Sequence, residues 1–92
     1  MFAIGFDLLW NVTKQTHPKG ISQAYSDIGN ILNRYGFVRV QGSVYISHDD
    51  SLVNVTLAMN ALKALPWFPH CVRDIRAFKV EHWSDFTNFM KS

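Results

Sequence analysis

The ten residues from Phe37 to Ile46 constrain this chain most, because they alternate in character around a central glycine. Val38, Val40, Val44 and Ile46 can point one way while Arg39, Gln41, Ser43 and Tyr45 point the other, with Gly42 between the two halves. The pattern predicts two short strands joined by a tight glycine turn. Arg, Gln, Ser and Tyr together make an unusual lining for an ordinary buried sheet. They suit the phosphate backbone of a nucleic acid.

The flanking residues place that hairpin in a fold. Phe2 to Trp10 is a bulky apolar run interrupted only by Ala3, Gly5 and Asp7, which predicts a central strand covered on both faces. Asn11 to Lys19 is polar, contains Pro18 and meets Gly20, and reads as a loop feeding a helix. From Ile21, the residues Ala24, Tyr25, Ile28, Ile31, Leu32 and Tyr35 recur at helical spacing until Gly36 offers a left-handed cap. After the hairpin, Ser47 to Asp50 can start a second helix whose apolar stripe is Leu52, Val55, Met59, Leu62 and Leu65, stopped by Pro66. Trp67, Phe68 and Pro69 read as an apolar turn, and Val72 to Glu81 as a fourth strand. Ser84 can cap a short last helix with Trp83, Phe86, Phe89 and Met90 on its apolar face.

Strand, helix, strand, strand, helix, strand is the α+β, ferredoxin-like βαββαβ order, here as a single domain over residues 1–92 with an extra carboxy-terminal helix. The expected sheet has its first and third strands parallel at its centre. Two right-handed crossovers put both helices on one face and leave the other bare. With 48% hydrophobic and only 17% charged residues, so small a domain is rich in apolar surface, and the bare face calls for a partner. A second copy of the chain, its own last helix, or stacked RNA bases would each serve; the aliphatic first strand disfavours the bases.

Charge and compartment narrow the function less. A formal charge of +2 permits nucleic-acid binding without demonstrating it. The amino terminus lacks a basic region and meets Asp7 early, so no secretory signal is expected, and no apolar run approaches the roughly 20 residues that span a bilayer. Cys71 is the one cysteine, which excludes an internal disulfide and fits a reducing, cytoplasmic setting. His17, His48, His70 and His82 have no metal-ligand spacing, Ser43 has no nucleophile-elbow context, and there is no glycine-rich phosphate loop.

Asp7 is the charged residue of the first strand, set between Phe6 and Leu8. A carboxylate there needs a partner. One reading is an ion pair with Arg39, Arg73 or Arg76; the other is a hard divalent cation, which takes oxygen ligands and keeps several waters. Arg39 can brace phosphate oxygens through its planar fork, and Ser43 and Tyr45 can hydrogen-bond a sugar or phosphate. Arg73 and Arg76 belong to the start of the fourth strand, which the fold brings near the end of the first, so at least one is expected to contact Asp7 or Asp74.

At the hairpin, Arg39, Gln41, Ser43 and Tyr45 form a segment similar to the Arg-x-Gln-x-Ser-Val-aromatic stretch of the small ferredoxin-like subunit of the CRISPR spacer-integration complex. Over nearly its full length the chain resembles the virulence-associated protein D (VapD) family, through residues 2–7, 17–20, 24–28, 36–37, 72–78 and 83–87. The resemblance implies a homodimer, formed through the sheet face, that cuts RNA endonucleolytically as a toxin or a regulator of growth, virulence or persistence. A small antitoxin is the implied protein partner.

The same resemblance implies functional roles for Arg39 and Tyr45 and a metal-associated role for Asp7; the residues themselves add Ser43 as a catalytic candidate and Gln41, Arg73 and Arg76 as substrate-binding ones, with the Asp7 carboxylates of two subunits organising Mg²⁺ or the attacking oxygen. In the CRISPR relatives the matching aspartate is paired across the dimer axis. This chain carries Phe6 where many of them have tyrosine, so any role of that hydroxyl is lost. Attack by the RNA 2′-hydroxyl without metal is a second chemistry on the same groups. A nucleic-acid-binding adaptor that does not cut is the alternative outside enzymes, and a dimeric small-ligand module is a third reading.

Overall fold

The computed structural model describes all 92 residues. Strand β1 (Phe2–Leu8) lies inside a four-stranded sheet of order β2-β3-β1-β4, with β2 at Val38–Gln41, β3 at Val44–Ser47 and β4 at Val72–Lys79. Even-numbered residues of β1 point to one face and odd-numbered ones to the other. Ile4, Phe6 and Leu8 enter the main core, whereas Ala3, Gly5 and Asp7 face the opposite side. The bulky run Phe2 to Trp10 was expected to be strand throughout; it stops at Leu8.

Every strand pair is antiparallel, including β1 with β3. This corrects the expectation of parallel central strands. Each crossover returns parallel to the strand it left but one position further out, so the strand inserted between them must run the other way. The α+β, ferredoxin-like order of strands is otherwise as expected.

Helix α2 (Ile21–Arg34) and helix α3 (Leu52–Lys63) cover the even face of β1. Ala24, Ile28, Ile31 and Leu32 of α2 meet Val55, Ala58 and Leu62 of α3 in one cluster with Phe37 and Tyr45. Fully burying each large aliphatic or aromatic residue contributes about 1.5–3 kcal/mol, so this layer supplies most of the stability. The end of α2 is set by Gly36, whose φ of 86° lets Phe37 N–H reach Leu32 O at 3.0 Å. That turn drops Phe37 into the core, 1% exposed.

Three connections differ from expectation. Trp10–Thr16 is a helix, α1, where a polar loop was expected. Its sequence has little intrinsic helical signal, but Leu9 N–H bonds Cys71 O, buried Thr13 bonds Leu9 O, and α1 packs on α2 and α4. Tertiary contacts hold it in shape. Phe68–Cys71, expected to be part of a turn, is the short helix α4, with Trp67 and Phe68 buried beside it. The last helix, α5, spans Thr87–Lys91, and Asp85 rather than Ser84 accepts its first N–H, because the Ser84 hydroxyl pairs with His82.

The odd face of the sheet carries no crossover helix. Residues 83–87, 90 and 91, which follow edge strand β4, line a groove with Val40 and Gln41 of the opposite edge strand β2, so the carboxy-terminal segment reaches across this face. Ala3 and Ile46 are buried there, yet Phe78 and Val38 remain 49% and 62% exposed, and Phe86, Phe89 and Met90 more so. The covering is partial. No helix is long and apolar enough to cross a membrane.

Candidate functional site

Asp7 and Asp74 are direct partners across β1 and β4 on the open face, just before the register shifts at Leu8. Arg73 Nη1 donates to Asp7 Oδ2 at 3.1 Å, and Arg76 Nε donates to both oxygens of Asp74 at 3.1–3.2 Å. Both arginines therefore sit where the charged fourth strand was expected to bring them. Two carboxylates facing each other would repel; an arginine on each offsets that. All four side chains are more than half exposed, so each pair is worth about 0–1 kcal/mol and can be exchanged for a phosphate at little cost. Asp74 is the member that sequence reading assigned no chemical role. Its place opposite Asp7 follows from strand register, which composition does not reveal.

The hairpin turn reaches the same end of the sheet. Ser43 O accepts the N–H of Phe6, the residue before Asp7, at 3.1 Å, and half-buried Ser43 lies in the turn after Gly42. Arg39 Nε donates to Gly42 O at 3.0 Å, bracing that turn. Asp7, Asp74, Arg73 and Arg76 are thus gathered at one corner of the molecule, bordered by the backbone of the β2–β3 turn at Ser43.

The expected polar face of the hairpin is not one face. Arg39 pairs with Tyr45, and Tyr45 with Ile4, which puts both on the helix-covered side, opposite to Asp7. A bulge after Arg39 then shifts the register so that Gln41 pairs with Val44 on the open side. Tyr45 is 6% exposed and stacks at 6.3 Å on Phe6 beneath α2. Burial raises its phenol above the ordinary tyrosine range, against a smaller downward pull from Arg39, so it stays protonated.

A second polar cluster lies where the α1–α2 connection meets α2. His17, 6% exposed, donates through Nε2 to Asp27 at 2.7 Å and accepts the Lys19 N–H on Nδ1 at 3.0 Å, with its ring edge-on to Trp67. Gln23 also donates to Asp27 at 2.9 Å. Hydrogen bonds from Gln23 and then His17 hold the Asp27 carboxyl below the usual range. With both imidazole nitrogens engaged, His17 acts as a clip between the α1–α2 connection and α2, with no nitrogen free for proton transfer.

No group of three or more His, Cys, Asp or Glu side chains converges as a metal cage. Asp7 and Asp74 nevertheless form a pair of hard oxygen donors, and Mg²⁺ binds through one or two carboxylates with water completing its shell. The residues present fit such an ion at this corner.

No protein-family model matches the chain. Curated proteins do. A protein named endoribonuclease VapD homolog, from Neisseria gonorrhoeae, is 59% identical over 92 residues, the whole of both chains. Endoribonuclease VapD of Haemophilus influenzae is 53% identical, again over all of both. Endoribonuclease VapD of Helicobacter pylori is 43% identical over 94 aligned positions and the full length of each chain.

Proposed function

The chain belongs to the VapD endoribonuclease family, and on that premise we propose that it cuts RNA internally at the corner shared by Asp7, Asp74, Ser43 and Arg73. The observation that carries this reading is the pair of facing carboxylates, each held by an exchangeable arginine, beside the hairpin turn. A phosphodiester entering the corner displaces a carboxylate from Arg73, whose fork then faces the phosphoryl oxygens. Freed of that partner, Asp7 takes the proton of the attacking oxygen as that oxygen bonds to phosphorus; the bond from phosphorus to the leaving ribose oxygen breaks, and that oxygen takes a proton from water. Arg73 carries the charge that builds on the phosphate, and Ser43 donates to a phosphate oxygen from the turn. Arg76 keeps Asp74 in place. Asp7 and Asp74 would hold Mg²⁺, which when bound polarises a phosphoryl oxygen as a Lewis acid.

The functional unit in this reading is a homodimer formed through the open face. Its support is the incompletely covered apolar surface of Phe78, Val38, Phe86, Phe89 and Met90, on the face that also bears Asp7. Its setting is the cytoplasm, as a toxin or growth, virulence or persistence regulator beside a small antitoxin. The family resemblance alone supports that setting.

The test is incubation of wild type and Asp7→Asn with defined single-stranded RNA, with Mg²⁺ and with chelator. Wild-type cleavage, lost in Asp7→Asn at unchanged thermal stability, is the expected result. Cleavage that survives the chelator and leaves 2′,3′-cyclic ends assigns the attack to the RNA 2′-hydroxyl. Salt-sensitive RNA binding without any cleavage assigns the protein instead to the adaptors.

A further inference from the structure

Helix α2 shows the layer behind the hairpin a stripe of residues that a solvent-facing helix has little reason to carry. Ser22, Ser26, Asn30 and Asn33 are all exposed and recur at three- to four-residue spacing along one side of α2. Serine and asparagine are weaker helix formers than the Ala, Glu or Lys usual on a free surface. Hydrogen bonds within the chain do not explain them, since none of their side chains makes one. Together with Arg39 they line a groove of about 450 Å³ that contains no carboxylate and is floored by Tyr45. That volume lies within the range of small-ligand sites.

The floor supplies the second observation. Tyr45 is 94% buried by its 6% exposure, its hydroxyl has no partner within the chain, and that oxygen keeps contact with solvent through this groove. Gly29 permits the arrangement. A Cβ there would stand 2.8 Å from the Tyr45 oxygen, so glycine at this turn of α2 leaves the hydroxyl room to face outward. The cleft at His17 has the opposite character, because its polar atoms already satisfy one another and it includes the Asp27 carboxylate.

We infer that the groove between α2 and β2 is a second RNA subsite, which takes the single strand flanking the scissile phosphate after it has passed over the β2–β3 turn. The inference rests on the nuclease reading for the identity of the strand. Arg39 joins the two places, since it lines the groove and also bonds Gly42 of the turn whose Ser43 oxygen accepts the N–H of Phe6, the residue before Asp7. The donor set matches a nucleotide: Arg39 for a phosphate, serine hydroxyls for sugar or phosphate, and asparagine amides for a base edge, which can both give and accept. The Tyr45 hydroxyl gives the buried end of the site a donor that remains protonated at neutral pH.

The experiment is fluorescence-anisotropy binding of a single-stranded RNA of roughly a dozen nucleotides, a length in the range of single-strand sites, to full-length wild type, Asn30→Glu and Asn30→Lys. Both substitutions place a better helix former on an exposed position, so both proteins should fold, which circular dichroism checks. Asn30→Glu is expected to bind about tenfold more weakly and Asn30→Lys at least as tightly as wild type, with the difference shrinking as salt rises. Equal affinities for all three proteins would overturn the subsite. If Asp7→Asn loses cleavage while the Asn30 variants bind alike, only the groove falls. If the three proteins bind RNA in the charge-dependent order given but wild type cuts nothing, only the nuclease reading falls; if wild type cuts RNA but does not bind the strand, only the groove falls.

Discussion

The two faces of the sheet solve different problems with neighbouring residues of the same strand. On one side Ile4, Phe6 and Leu8 are sealed under α2 and α3, and no side-chain polar atom is both shut off from solvent and without a partner. On the other side Asp7 and Asp74 stand in solvent with arginines at 3.1 Å, and large apolar residues remain uncovered. The first face is where stability is made. The second can exchange its ion pairs and apolar surface for a ligand or partner, because little of it is already committed.

That contrast breaks most clearly if a substitution on the open face fails to separate activity from stability. Asp7→Asn should lower RNA cleavage by about 100- to 10,000-fold, the range for loss of a proton-transfer group. Its denaturation midpoint should stay within about 0.5 kcal/mol of wild type, as for other exposed positions. Phe37→Ala, on the sealed side, should reverse the pattern by removing about 3–5 kcal/mol of stability, measured by urea denaturation.

A finer test lies between the two faces. Gly29→Ala forces a methyl against the Tyr45 oxygen at 2.8 Å and should destabilise by about 1–3 kcal/mol, as overpacking does. Adding Tyr45→Phe removes the obstructing oxygen, leaving Cζ at 3.8 Å, and should restore stability to that of wild type or slightly above it. A double variant no more stable than Gly29→Ala would break the assignment of Tyr45 to the floor beneath α2.

The smallest effect concerns acid. Folding depresses the Asp27 carboxyl below 3.8, so the folded chain binds fewer protons than the unfolded one as pH falls. The contribution is present above that unfolded value and is lost as pH drops through the lower folded value. Thermal melts from pH 5 to pH 2 should show a shallower loss in Asp27→Asn than in wild type. Because Asp27 lies with His17 on the helix-covered side, this acid dependence should leave the open-face carboxylates out of account.

Much of the architecture can be read from residue order alone. The apolar stripes of α2 and α3, the glycine stop at Gly36 and the alternation in β2 and β3 are local properties, repeated at the period of the element that they build. Helix α1 is not legible in residue order, since its residues form a helix only with Cys71 and the neighbouring helices to hold them.

For the site, residue types and side of the sheet separate cleanly. Asp7, Ser43 and the arginines are visible as chemically capable groups, and the spacing of β4 with β1 brought Arg73 to Asp7 as expected. Tertiary structure decided three other matters: which face of the hairpin is sealed, that Asp74 stands opposite Asp7, and that a bulge sends Gln41 away from Arg39 and Tyr45. Alternation along a strand specifies that neighbours point apart; only packing against α2 specifies which of them meets the core.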